Sequence, residues 1–291
     1  MSGTPQFVDA HLHLWDPACL DYPWLDAIPD LKRKFLPEDL PLARGQRVGA
    51  VFVQADCAPQ QGIAEVDWVL AHTWPELSAV VAFAPLQLGD ALRPHLEDLA
   101  RRPSVKGVRH LLQDSDTLFI AAESTIAGAR AVAEAGLVFD ACIRWHQLGS
   151  LTRFARRLPE LPIVLDHMGK PPLAEGPFAE WRDGMRRLAA LENVSVKLSG
   201  AAPEAAPGRP LAEQALPYLH ETLSLFGASR CMLGSDWPVS AQTDGQYMGW
   251  VDLVLGQALA GASAEEMTGV AARTAARFYG FEPDLPHGRT D

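Results

Sequence analysis

The chain has 291 residues, of which 48% are hydrophobic and 21% charged, and its formal net charge is −11. This length and composition suit one globular domain with a large core. The acidic balance, without any cluster of Lys or Arg, argues against nucleic acid and anionic membrane surfaces as partners. No signal-peptide pattern opens the sequence, so we predict a cytoplasmic protein. The four cysteines are far apart and we expect them to be reduced.

Eight short runs rich in Val, Ile, Leu and Phe predict eight strands. They cover residues 7–14, 50–54, 79–86, 106–112, 137–143, 163–167, 194–198 and 231–235. Helical patterns lie between most of them, over residues 63–72, 91–101, 126–135, 148–157, 178–191 and 211–225. This alternation predicts a single-domain (β/α)₈ TIM barrel over residues 1–291, with a loose tail over 282–291. A doubly wound sheet is less favoured because no glycine-rich turn follows the first strand.

Histidines are concentrated at one end of the predicted strands. Five of the nine fall at or just past the carboxyl end of an apolar run: His11, His13, His110, His146 and His167. The other four lie in helical stretches or in the tail. Catalytic residues of such barrels come from the carboxyl ends of the strands. The distribution therefore predicts a hydrolytic site on that rim.

The first strand carries the pattern His11-Leu12-His13. In a regular strand the two imidazoles share one face with Asp9, while Val8 and Leu12 point to the helices. Two imidazoles at this spacing can bind one cation, whereas each would cost about 1 to 3 kcal/mol if left unpaired in the interior. A hydrogen-bonded core pair is the alternative interpretation.

Two further strand ends add ligands. Predicted strand 6 ends at His167 and strand 8 is followed by Asp236. Because a closed barrel places strand 8 beside strand 1, Asp236 comes next to the histidine pair. Three imidazoles and one carboxylate suit Zn²⁺ or a similar divalent ion such as Mn²⁺. The alternatives are that His167 caps a loop and that Asp236 caps the following helix.

These residues lie within motifs that carry a family resemblance. The motifs are residues 8–17 (VDAHLHLWDP), 35–40 (FLPEDL), 107–110 (GVRH), 165–171 (LDHMGKP), 197–200 (KLSG) and 234–238 (GSDWP). The chain resembles the amidohydrolase superfamily from about residue 8 to 281. Within it, the chain resembles the branch of sugar-lactone and 2-pyrone-4,6-dicarboxylate lactonases. The resemblance implies a barrel, lactone hydrolysis, and a site built on His11, His13, His167 and Asp236.

One departure from the superfamily limits the metal content. Two-metal amidohydrolases carry a bridging Lys or Glu at the end of strand 4 and a further His at the end of strand 5. This chain has Arg109 or His110 at the first place and Arg144 at the second. We therefore expect at most one divalent ion, and the resemblance allows catalysis without any.

Roles follow from what lactone hydrolysis requires. We assign Asp236 as the general base, beside imidazoles that bind a metal or hold the water directly. Arg109 and Arg144 could polarise the carbonyl or bind hydroxyl groups, and Arg109 rather than His110 is expected to face the site. His146 and Lys170 are further candidates for substrate binding. Lys170 and Lys197 have the alternative of reaching solvent, as lysines usually do.

Aromatic residues indicate the kind of substrate. Trp24 and Trp237 belong to segments at the predicted rim, and few basic groups accompany them. This mixture favours a neutral sugar lactone of the L-fucono, L-rhamnono or galactono type, since a dicarboxylate would need more arginines. The alternatives are a decarboxylase of the same superfamily and a non-enzymatic sugar or metal binding protein. A homo-oligomer is compatible with the sequence.

Overall fold

The computed structural model describes residues 7–42, 48–174, 178–240 and 244–283. Eight parallel strands pair in chain order. They are β1 (Val8–Leu12), β2 (Gly49–Val53), β3 (Leu77–Phe83), β4 (Val105–Leu111), β5 (Val138–Cys142), β6 (Ile163–Leu165), β7 (Val194–Leu198) and β8 (Cys231–Leu233). Most of the predicted tail lies outside the described residues.

The sheet closes between its first and last strands. Past the end of β8, Asp236 donates its N–H to the carbonyl of His11 at 2.7 Å, and His13 donates to the carbonyl of Trp237 at 2.8 Å. A parallel bridge joins Leu12 to Trp237. The predicted (β/α)₈ barrel is therefore confirmed, and Asp236 lies beside the histidine pair as expected.

Helices surround the strands. They are α1 (Gly62–Leu70), α2 (Arg93–Ala100), α3 (Thr117–Ala121), α4 (Glu123–Glu134), α5 (Leu148–Arg156), α6 (Phe178–Ala189), α7 (Leu211–Phe226), α8 (Asp244–Val251), α9 (Ala264–Thr268) and α10 (Thr274–Tyr279). Within the described ranges, no helix is both long and apolar enough to cross a membrane.

The barrel interior has an apolar lower half. Side chains from the strands pack there with the segment that ends in α10; the set is Val8, Ala10, Val51, Val53, Ala79, Val81, Val138, Val164, Met232, Ala272, Ala275 and Tyr279. Val8 and Val138 are the first residues of their strands. Helix α10 therefore packs against the amino-terminal end of the barrel, opposite the rim that bears the histidines.

Strand β1 departs from regular alternation. Its pairing with β2 shifts register between Asp9 and Leu12. Val8 and Ala10 face the interior, whereas Asp9 accepts a hydrogen bond from Tyr247 of α8 at 2.8 Å. The prediction that Asp9 shares a face with the histidines and that Val8 faces the helices was therefore wrong. The shift returns His11 to the interior.

Candidate active site

Four predicted residues meet at the carboxyl ends of β1, β6 and β8. The Nε2 atoms of His11 and His13 are 3.2 Å apart. Asp236 Oδ1 lies 3.3 Å from Nε2 of His13, 3.7 Å from that of His11 and 3.9 Å from that of His167. All four residues are buried. One carboxylate oxygen therefore faces three imidazoles.

Each imidazole is oriented through its other ring nitrogen. His13 Nδ1 donates to the carbonyl of Val53 at 2.7 Å, so that in the neutral ring Nε2 is the acceptor. His11 Nδ1 lies 3.1 Å from Asp166 Oδ1, and His167 Nδ1 lies 2.9 Å from Ser199 Oγ. Such outer partners fix the orientation of imidazoles that bind metals. Asp166 and Ser199 are functional candidates that the sequence reasoning missed.

Strained backbone places two of these side chains. His167, Met168, Gly169 and Lys170 all have positive φ, from 50° to 71°, and form a left-handed turn directly after β6. Asp236 also has a positive φ of 58°. This conformation costs about 1–2 kcal/mol per non-glycine residue. It also explains why β6 and β8 end at Leu165 and Leu233, each two residues before its predicted end.

Neighbouring side chains accommodate the turn. Trp181 of α6 donates its indole N–H to the carbonyl of Met168 at 2.9 Å. Gly200, with φ of 62°, leaves room for the imidazole, because a Cβ there would lie 2.2 Å from His167 Nδ1. The position therefore requires glycine for both its backbone conformation and its contact.

The ionisation states suit the ligation of a cation. Burial lowers the pKa of His167 to about 4 and holds the pKa of His11 well below its ordinary value, so both rings are neutral at pH 7. Burial raises the pKa of Asp236, but the imidazoles outweigh it and the pKa is lowered overall. A carboxylate and neutral imidazoles are the forms that bind metals.

The donor atoms fit a single divalent ion. Imidazole nitrogen binds Zn²⁺ at about 2.0–2.1 Å, so two Nε2 atoms 3.2 Å apart can share one ion at an angle of about 100°. Donor atoms of His11, His167 and Asp236 all lie within 4.8 Å of one another. These residues and His13 form a candidate metal centre.

A charged network lies directly beneath His11. The buried Lys197 ammonium lies 2.5 Å from Asp140 Oδ2 and 3.1 Å from Asp166 Oδ1. Arg109 Nη1 lies 3.5 Å from Asp166 Oδ2. Two carboxylates and two cations therefore balance in the upper interior. The alternative that Lys197 reaches solvent was wrong, because its side chain has no exposed surface.

A cavity of about 310 Å³ opens above the centre. Six of the predicted residues line it: His13, Trp24, Arg109, His167, Lys170 and Asp236. Asp56, Gln113, Asp114, Cys142 and Glu204 are wall residues that were not predicted. His110 points away and stacks on Phe83 and Phe119. Arg109 is thus the residue of strand β4 that faces the site.

Three predicted substrate-binding residues lie outside this wall. Arg144 pairs with Asp114 at 3.4 Å on the surface, and His146 is exposed in another hollow beside Trp145. Arg144 and His146 would point inward if β5 continued as a regular strand. Strand β5 ends at Cys142, however, and a 3₁₀ turn begins at Trp145. Trp237 is buried against Phe35 and belongs to the core.

The barrel and the histidine–aspartate cluster at its carboxyl rim define a class of barrel hydrolases with a candidate metal centre. The family model of the amidohydrolases matches residues 8–281. The chain therefore belongs to the amidohydrolase family, as the motifs predicted, and it is a hydrolase.

Known proteins resemble it over most of its length. An L-fucono-1,5-lactonase of Burkholderia ambifaria is 39% identical, with 84% of this chain and 85% of that protein covered. An L-fucono-1,5-lactonase of Burkholderia multivorans is 34% identical and covers 94% and 95%. The crystal structure of a Burkholderia multivorans amidohydrolase with bound zinc has a TM-score of 0.82 and 31% identity, covering 95% of this chain and 100% of that chain.

Proposed function

We propose that the protein hydrolyses a neutral sugar-acid lactone of the L-fucono, L-rhamnono or galactono type to the aldonic acid. The observation that carries this proposal is the Asp236 carboxylate, which faces three imidazoles at the base of a substrate-sized cavity. The names of the two lactonase relatives support the same reaction.

A single divalent ion, Zn²⁺ or Mn²⁺, would be held by His11, His13, His167 and Asp236. When bound, it would supply a water of lowered pKa, about 7 in the best-known zinc hydrolases. Elemental analysis of protein purified without chelator tests this assignment. We expect up to one ion per chain and a lower content in His11→Ala. Two tightly bound ions per chain would contradict it.

The side chains of the cavity have different roles in the proposed reaction. Asp236 accepts a proton from the attacking water and returns it to the ring oxygen as the ester bond breaks. Lys170, on the left-handed turn, offers N–H donors to the carbonyl oxygen. Arg109 keeps Asp166 in place beneath His11 and presents part of its guanidinium to the cavity. Trp24 provides a flat wall for the sugar ring.

The charges of the cavity favour a neutral substrate. Among the described residues, four carboxylates line it, on Asp56, Asp114, Glu204 and Asp236, against the two cations of Arg109 and Lys170. Asp114 is paired with Arg144, which leaves three carboxylates. Arg109 is already engaged with Asp166. A dicarboxylate would therefore meet net repulsion, whereas a lactone is neutral until its ring opens. The anionic product would then be expelled by the same carboxylates.

A panel of aldonolactones assayed with a pH indicator tests the function. We expect acid release from at least one lactone related to fucose, rhamnose, galactose or arabinose, without CO₂. Release of CO₂ from an aromatic carboxylate, with every lactone inert, would establish the decarboxylase instead. Binding of a sugar or metal with no turnover of either class would indicate a non-enzymatic binding protein.

Three predictions concern the whole molecule. We propose that it functions in the cytoplasm. We also propose that it binds neither nucleic acid nor membranes, because its net charge is −11. A homo-oligomer remains a prediction, and light scattering at several protein concentrations would test it.

A further inference from the structure

The proton on His11 has two possible positions, and the buried network beneath the ring decides between them. His11 Nδ1, Asp166 Oδ1 and Lys197 Nζ form a triangle with sides of 3.1, 3.1 and 3.2 Å. A ring nitrogen either carries a proton or accepts one. His11 Nδ1 therefore donates to Asp166 or accepts from Lys197, and it cannot do both.

The two arrangements have opposite consequences in the cavity. If Nδ1 donates to Asp166, the Nε2 lone pair of His11 faces the cavity and can bind a cation. If Nδ1 accepts from Lys197, the proton lies on Nε2 and points to His13 Nε2, 3.2 Å away. Because His13 Nδ1 donates to Val53, His13 Nε2 can accept the proton of His11 Nε2. The second arrangement occupies both candidate ligand nitrogens with one proton.

The position of Lys197 favours the first arrangement. Its ammonium lies closer to Asp140, at 2.5 Å, than to His11 or Asp166. Asp140 is itself held by Tyr279 of α10, whose hydroxyl lies 2.9 Å from Oδ2 and 3.1 Å from Oδ1. All of these side chains are buried. Helix α10 thereby reaches the upper interior through one hydroxyl group.

We propose that Asp140 and Tyr279 are positioning residues. Asp140, held by Tyr279, takes the shortest hydrogen bond of Lys197, so that His11 Nδ1 donates to Asp166 and the His11 Nε2 lone pair faces the cavity. The consequence for catalysis rests on the proposed function, but the position of the proton does not. The two can therefore fail separately.

Nitrogen NMR of zinc-free protein labelled at histidine measures the proton position, with His11 assigned from the spectrum of His11→Gln. We expect mainly Nδ1–H in the wild type and a larger share of Nε2–H in Asp140→Asn, because Lys197 loses the nearer of its two anionic partners. Affinity for Zn²⁺, measured against a chromophoric chelator, should fall at least about 10-fold, as for other outer-shell losses. Tyr279→Phe should shift both quantities in the same direction by a smaller factor.

A double variant separates positioning from structure. In Asp140→Asn with Lys197→Met the competing donor is gone, so the wild-type proton position and zinc affinity should return even if thermal stability does not. Tyr218→Phe is the matched control, because its hydroxyl donates to the carbonyl of Pro172 and to no residue of the network. It should change neither quantity.

The outcomes are distinct. An unchanged His11 proton in Asp140→Asn and Tyr279→Phe, or a double variant no better than Asp140→Asn alone, would overturn the proposal. If Asp140→Asn does not fold, Tyr279→Phe and the double variant decide. A wild type inert towards every lactone would overturn the proposed function and leave the proton measurement standing.

Discussion

The two halves of the barrel interior differ in composition and in structural role. The lower half contains Val8, Val51, Val138, Met232 and their apolar neighbours, which lose contact with water when the chain folds. The upper half buries Arg109, Asp140, Asp166 and Lys197 beside the histidines. Burying charges contributes little to stability even when they are paired. The upper half therefore orients side chains, and the lower half supplies the stability that permits it.

Backbone strain follows the same division. The described ranges contain five non-glycine residues with positive φ, and all follow strand ends at the carboxyl rim: Asp56, His167, Met168, Lys170 and Asp236. Conformations of this kind cost about 1–3 kcal/mol each and persist where the surroundings enforce them. Four of the five line the cavity. The strain thus lies where side chains must be aimed.

The largest effect on activity without a matching effect on stability is expected for Asp236→Asn. Asparagine tolerates the positive φ and keeps an acceptor for Ser240, but it cannot take a proton. We expect kcat for lactone hydrolysis to fall by at least about 10²-fold, with little change in Tm. The exposed Asp183→Asn on α6 is the control. A variant that retains most of its kcat would show that Asp236 is structural.

The converse substitution is Met232→Ala in the lower half. Met232 has no exposed surface, and its truncation leaves a cavity. We expect the free energy of unfolding to fall by about 2–5 kcal/mol, measured by urea denaturation, while kcat of the folded enzyme is unchanged. Met267→Ala, at a half-buried position on α9, should cost less. A fall in kcat equal to that of Asp236→Asn would show that the two halves are not separate.

Glu65 of α1 lies outside both halves and supports the rim. Its carboxylate accepts from the N–H of Ala55 at 3.0 Å, and the carbonyl of Ala55 accepts from Trp24 at 2.8 Å. Burial raises the pKa of Glu65 from 4.5 to about 7. Between pH 4.5 and about 7, Glu65 is protonated in the folded state and ionised in the unfolded state. The contribution of this protonation to the free energy of unfolding is therefore complete below pH 4.5 and is lost as pH rises through about 7.

Glu65→Gln keeps an acceptor for Ala55 and removes this titration. Between about pH 5 and about pH 8 the free energy of unfolding should fall by about 2.5 kcal/mol more in the wild type than in the variant, measured by urea denaturation at both. The exposed Glu97→Gln on α2 should behave like the wild type. The same pH dependence in Glu65→Gln would show that Glu65 is already ionised throughout the range.

The pattern of the sequence was sufficient for the barrel and for the residues at the ends of β1, β6 and β8. Alternating apolar runs repeat regularly, and closure follows from strand number. The same pattern did not predict the local irregularities of the strands. Nothing in the sequence around Asp9 marks the register shift of β1, and the end of β5 is set by the turn at Trp145.

The buried network could not have been predicted from local pattern. Asp140 lies on β5, Lys197 on β7 and Asp166 directly after β6, and only the closed barrel brings them together. A lysine within an apolar run is the available signal, because it must find anionic partners if the strand is buried on both faces. The two aspartates in neighbouring runs, each at an inward position, complete that signal.

The smallest effect is expected for Asp56→Asn at the mouth of the cavity. Asp56 is exposed there, and within the described part of the chain its carboxylate has no hydrogen bond or ion pair. Asparagine suits its φ of 58°, so the backbone should not change. A single charge about 7 Å from a substrate carboxylate in water contributes about 0.6 kcal/mol, or roughly a factor of 3.

The measurement is the ratio of kcat/KM for a neutral aldonolactone to that for a sugar-diacid lactone with a free carboxylate. Asp56→Asn should lower this ratio about 3-fold at low salt, and added salt should reduce the difference because it screens exposed charges. Glu97→Gln changes the net charge equally but lies on α2, so its ratio should match the wild type. If Glu97→Gln lowers the ratio equally, the preference for the neutral lactone comes from the net charge of the protein. If Asp56→Asn leaves the ratio unchanged, Asp56 has no part in substrate selection.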